Sequence, residues 1–154
     1  MADISKLLEA YARGPAELRD AVRSVRTSDW DATPIAGKWS IRQVVCHLAD
    51  SEIVYADRIK RVLAEDNPTL FDADPDVFVP ALHCAERPPE TELNLIATVR
   101  AHMRPILKAC APADFQRTGT HSTAGPLTLE SLLERVTEHL PHHVAFIEEK
   151  LRAL

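Results

Sequence analysis

The chain has 154 residues, a formal net charge of −5 and an apolar fraction of 45%. That length suits one domain, residues 1–154, with a real core. The acidic balance argues against a nucleic-acid partner, which calls for a basic face, and no apolar run approaches the roughly 20 residues that span a bilayer. Only 4 glycines are present, and Leu, Ala, Glu and Arg are plentiful, a composition that favours helices over strands. The opening stretch MADISKLLEAYARG lacks the basic start and apolar block of a secretory signal. Cys46, Cys84 and Cys110 are odd in number and form no CxxC pair, so they read as reduced thiols of a cytoplasmic protein.

In chain order, apolar residues recur at helical spacing over 2–26 (Ile4, Leu7, Leu8, Tyr11, Leu18, Val22), with Gly14-Pro15 expected to break or kink the run. DWDATPIAGKW reads as loop. Ser40 opens a second helix, and Gln43 three positions on completes a capping-box pattern. The stripe from Ile41 through Val44, Leu48 and Ile59 to Val62 should end near Glu65, because Asn67-Pro68 follows.

Residues 67–89 are acidic and proline-rich and read as a long loop holding at most one short helical turn. A third helix follows from about Pro89 to Cys110, with Pro105 as a candidate kink. After the loop APADFQRTGTHSTAGP, Thr128 caps a fourth helix with Glu130 in its first turn, continuing to about Leu151. Four long helices without strand patterning give an all-α, four-helix bundle of the up-down type, although the long 67–89 connection also allows the second and third helices to run parallel.

The fourth helix holds the run TEHLPHHVAFIEE. Its apolar stripe includes Leu132, Val136, Leu140, Val144 and Ile147. At about 100° per residue, His139 and His143 fall within that stripe and project one turn apart from one face, a good spacing for two ligands of one metal ion. His142 points toward the polar side and reads as flanking. Pro141 removes a backbone donor between the two and should bend the helix there.

Two histidines hold a divalent ion poorly, so a third ligand has to come from another helix, and His47 at the edge of the second helix's stripe is the best candidate. Cys46 beside it points about 100° away and reads as a small core residue. His83, His102 and His121 have weaker cases, with an exposed position as the default. The competing reading makes the stripe histidines ordinary core residues, each of which then needs a hydrogen-bond partner. Asp50, three residues after His47, is the first candidate to orient an imidazole, followed by Glu138 and Glu52; for each, a solvated helix-face charge is the alternative.

The segments GKWSIRQVVCHLADSE and, roughly ninety residues later, HLPHH resemble the motifs of the DinB-like family of candidate metal-dependent enzymes. The resemblance runs from about Pro34 to Leu151. It implies a four-helix bundle, a divalent ion (zinc or nickel) on His47, His139 and His143, and a homodimer. It also implies a small-molecule substrate, with activities of the hydrolase type or of a thiol S-transferase type using a low-molecular-weight thiol such as bacillithiol or mycothiol. It carries no implication of DNA binding. The alternative is a noncatalytic bundle that binds a metal or small ligand.

Overall fold

In the computed structural model, which describes residues 3–154, four long helices enclose the core: α1 (Ile4–Ala21), α2 (Ile41–Ala64), α4 (Pro89–Lys108) and α5 (Leu129–Ala153). A short α3 (Pro75–Ala81) and three strands, β1 (Thr69–Leu70), β2 (Thr118–His121) and β3 (Gly125–Thr128), lie in the connections. Residue 2 of the first expected helix lies outside the described residues.

The helix starts follow from their capping chemistry. The Asp3 carboxylate accepts from the Lys6 amide, and the Thr128 hydroxyl accepts from the Ser131 amide at 3.1 Å. At Ser40 the capping box closes in both directions, Gln43 N to Ser40 Oγ at 3.2 Å and Ser40 N to Gln43 Oε1 at 2.9 Å. Each bond satisfies an amide that the first helical turn leaves without a partner.

Two apolar layers show how the helices run. The first holds Tyr11 of α1, Ile59 and Val62 of α2, Met103 and Leu107 of α4, and Leu132 and Val136 of α5. The second holds Leu18, Val44, Leu48, Ile96, Leu140 and Ile147. Chain direction through these layers makes α1 parallel to α5 and α2 parallel to α4, with the two pairs antiparallel to each other. The long connection after α2 therefore takes the second of the two courses open to it: it returns the chain along the bundle so that α4 starts beside the start of α2. Around the bundle the neighbours are α1 with α5, α5 with α2, α2 with α4 and α4 with α1, so the sequence-adjacent pairs α1/α2 and α4/α5 sit on diagonals.

Between the two layers sits one ion pair. Arg100 of α4 and Glu52 of α2 are 2% and 1% exposed. Arg100 Nε and Nη2 donate to Glu52 Oε1 at 2.9 and 2.6 Å, Nη2 also to the Val136 carbonyl of α5 at 2.6 Å, and Nη1 to the Tyr11 carbonyl of α1 at 2.8 Å. One guanidinium thus ties all four long helices. Tyr11 O is the carbonyl that Pro15, lacking an N–H, leaves without its helical donor. That explains why α1 continues through Gly14-Pro15 instead of breaking: the freed acceptor is filled from another helix. At Gly14 a Cβ would lie 2.5 Å from Arg100 Nη1 and 2.9 Å from Leu140 Cδ1, so only glycine lets the guanidinium approach.

Two other expectations are corrected. The 67–89 segment holds a strand and the two-turn α3, which Asp74 caps by accepting from the Asp76 amide at 2.9 Å. Strands, absent from the sequence pattern, form a three-stranded sheet: β1 pairs parallel with β2 (Leu70 opposite His121) and β2 antiparallel with β3 (His121 opposite Gly125). Two to four residues are too few to show alternation, and Gly125 turns the hairpin at φ +74°. α5 runs through Pro141 as one unbroken helix from Leu129 to Ala153.

Candidate metal centre

His47 from α2 meets His139 and His143 from α5 across the antiparallel α2/α5 groove. His47 Nε2 lies 3.0 Å from His139 Nε2. The three rings meet edge to face, with centroids 4.8 Å apart for His47–His139, 4.9 Å for His47–His143 and 4.6 Å for His139–His143. One nitrogen from each ring lies within 4.8 Å of the others. The 4.6 Å spacing on α5 is the ordinary consequence of an i, i+4 pair on one helix face.

The electrostatics keep this cluster neutral. Burial lowers the pKa of all three imidazoles, and it pushes His139 and His143 down to about 3. A neighbouring imidazolium would lower each of those two further, His143 acting on His139 and His47 on His143. Asp50 opposes the effect only at His47. No carboxylate or carbonyl hydrogen-bonds to the rings among the described residues, and Nδ1 of both His139 and His143 is buried without a partner. Buried polar nitrogens without partners are costly. Three neutral imidazoles whose ligand nitrogens lie this close are a donor set that suits a divalent transition-metal ion, so the residues fit such an ion. An ordinary core role would give each ring a hydrogen-bond partner, and His143 has none among the described residues.

The cluster opens on a cleft of about 480 Å³ between α2 and α5, covered by α3 and the β2–β3 hairpin. Trp39 packs against His47 with centroids 5.2 Å apart. His142 is exposed, as expected of a flanking residue, but it lines the cleft, and its ring meets those of His143 and Phe146 edge to face. Cys46 is fully buried beside Cys84 and Val79, away from the cleft, as its helical angle implies.

The three candidate carboxylates divide. Asp50 lines the cleft but is held in a two-bond pair by Arg87 (2.9 and 2.8 Å), which also bonds Glu92 at 2.6 Å. It does not orient His47. Glu52 belongs to the Arg100 pair, and Glu138 is exposed. Among the other histidines, His83 and His102 are exposed as expected. His121 is corrected: it is 7% exposed and lines the cleft, brought there by the β2–β3 pairing. Sequence reasoning also missed Arg100, whose signal was available: a charge inside the apolar stripe Ile96–Arg100–Met103.

A four-helix bundle with parallel second and third long helices and three histidines from two antiparallel helices defines the class of protein. The model of the DinB superfamily matches residues 10–147, and the chain belongs to that superfamily. YfiT of Bacillus subtilis, named a candidate metal-dependent hydrolase, is 29% identical over 150 residues, covering 97% of this chain and 84% of its own. Its solved structure, described as an unusual four-helix bundle topology, superposes with a TM-score of 0.92 over 99% of this chain and 89% of that one. A second candidate metal-dependent hydrolase, from Oceanobacillus iheyensis, is 29% identical over 133 residues, 86% of this chain and 77% of its own. A mycothiol-dependent maleylpyruvate isomerase shares the fold at a TM-score of 0.73 and 11% identity, over 94% of this chain and 60% of that one. No described helix is long and apolar enough to cross a membrane.

Proposed function

We propose that the chain is a metal-dependent enzyme acting on a small molecule, with His47, His139 and His143 holding one zinc or nickel ion. The observation that carries this reading is the set of three neutral imidazoles, two with a buried unpaired nitrogen, gathered at the wall of an open cleft. A divalent ion on three imidazoles keeps positions open and, as a Lewis acid, lowers the pKa of a water or a thiol toward neutrality. The chain's own residues hold the imidazoles neutral by burial and enclose, between α2, α5, α3 and the hairpin, the cleft in which a substrate would meet them.

Hydrolysis is the first reading, supported by the names of the two relatives at 29% identity. A thiol S-transferase is the second, favoured by a cleft of about 480 Å³, large enough for a thiol cosubstrate beside an electrophile, and by the fold shared with the mycothiol-dependent isomerase. The three cysteines, none in a disulfide, fit a reducing cytoplasm. The test is metal analysis of the purified protein, followed by turnover of ester, amide and alkyl electrophiles with and without a thiol. One ion per chain and thiol-independent turnover support the hydrolase; turnover only with the thiol supports the transferase. No metal, even after reconstitution with zinc and nickel, overturns both.

A further inference from the structure

The hairpin side of the cleft carries a second constellation that the three histidines do not use. Arg58 of α2, 7% exposed, donates through Nη2 to the Phe71 carbonyl and lies 5.3 Å over the Tyr55 ring, and its Nε is buried without a partner. Arg135 of α5 also lines the cleft, is exposed, and has no ion pair or hydrogen bond among the described residues. His121 Nδ1 accepts from the Thr123 and Ala124 amides at 3.3 and 3.2 Å. An imidazole nitrogen that accepts backbone amides carries no proton, so neutral His121 has its proton on Nε2, as a donor. Nε2 lies 3.8 Å from Asp72, beyond a good hydrogen bond.

The charges do not balance. Of the two cleft carboxylates, Asp50 is spent on Arg87, while Asp72 is half exposed. Two guanidiniums and one N–H donor therefore face one uncompensated carboxylate, a local positive excess on a chain of formal charge −5. Burial is the main cause that lowers the pKa of both Arg58 and His121; the charge of Arg135 acts in the same direction on each and that of Arg58 on His121, while Asp72 opposes it at both and Tyr55 at Arg58. An anion placed among them relieves that repulsion.

We propose that Arg58, Arg135 and His121 Nε2–H form an anchoring subsite for a carboxylate, so that the substrate of this cleft is an organic monoanion. The positive excess of one charge matches a carboxylate, whereas Asp72 would repel the second charge of a phosphate dianion. Arg135 lies four residues before His139, about 6 Å of helix rise, and Val54, Tyr55 and Leu127 line the same cleft. The ligand class is therefore a small molecule with a carboxylate at one end, a short apolar stretch, and its reacting group near the histidines. This assignment rests on the metal-centre reading for the reacting end, but the anchor does not depend on the metal.

The test is calorimetric titration of the metal-free full chain with hexanoate, its uncharged isostere hexanamide, and inorganic phosphate. Hexanoate should bind at least about tenfold tighter than hexanamide, the range of a charge-assisted contact. Arg135→Met should remove that preference and leave hexanamide binding and metal content unchanged. His139→Ala should keep the preference while losing metal, so failure of the anchor and failure of the metal centre are read separately. Arg58→Lys, which keeps the charge where Arg58→Met could unfold the chain, should weaken hexanoate severalfold. Equal binding of hexanoate and hexanamide, or an unchanged preference in Arg135→Met, overturns the subsite. Phosphate binding tighter than hexanoate overturns the carboxylate assignment.

Discussion

Two polar clusters are buried in this bundle, and they are built on opposite rules. At the centre, Arg100 is matched on every side, to Glu52 Oε1 twice, to Tyr11 O and to Val136 O, and only Glu52 Oε2 is left without a partner. At the α2/α5 groove, His47, His139 and His143 are held neutral, and two of their nitrogens have no partner. The first cluster is a cation saturated by its own chain; the second is a set of neutral imidazoles gathered at the wall of a cleft, where a partner from outside can reach them.

The largest break in that contrast is Arg100→Leu. It strands a buried Glu52 carboxylate and the Tyr11 carbonyl, which Pro15 leaves without a helical donor, and should cost about 3–5 kcal/mol in chemical denaturation. The double change Arg100→Leu with Glu52→Leu should recover much of that loss, because no uncompensated charge remains; no recovery would show that the pair is not the unit.

Metal is the next lever. Zinc or nickel at 100 times its Kd should stabilise the wild type by about 2.7 kcal/mol, read as a rise in Tm. His47→Ala and His139→Ala should show no such rise, and the metal-free His139→Ala protein should stay within about 1 kcal/mol of the metal-free wild type, since the packing lost is offset by removing an unpaired polar group. A large loss there with no metal effect would return the histidines to an ordinary core role.

Acid acts on the two clusters with opposite sign. His139 and His143 sit at about 3 in the fold against 6.5 in the open chain. The unfolded chain therefore takes up protons first, and the metal-free protein should be most stable above about pH 6.5 and lose stability as pH falls toward 3. Burial raises Glu52 above the ordinary carboxylate range despite Arg100, so its contribution improves as pH falls. Denaturation of the metal-free protein across that window should show a net loss, smaller in the His139→Ala, His143→Ala double variant.

The smallest effect is expected at Asp50→Asn. Arg87 keeps Glu92, so stability should change by less than about 1 kcal/mol. Metal affinity should move by less than about threefold, against the 10- to 100-fold expected of a carboxylate that orients a ligand.

Much of this was legible in the chain. The capping box at Ser40, the stop before Asn67-Pro68 and the stripe positions of His139 and His143 follow from rules that act within one or two helical turns, and all three agree with the structure. The course of the 67–89 connection, the pairing of two-residue β1 with β2, and the burial of His121 depend on residues about fifty positions apart, and no local periodicity carries that information. Asp50 illustrates the limit. Its spacing from His47 is right for an orienting partner, but Arg87, from a distant turn, claims it.

Gly14, Pro15 and Arg100 have a consequence of another kind. Pro15 vacates an acceptor, Gly14 leaves the space to reach it, and Arg100 fills it. Each residue is tolerable only because of the other two, so mutational drift cannot sample them singly: losing Arg100 makes Pro15 a defect, and gaining a side chain at 14 evicts Arg100. The adjacent pair and Arg100, at least 85 positions further along the chain, act as one unit, and a change in the first helix here calls for a matching change in the third long helix.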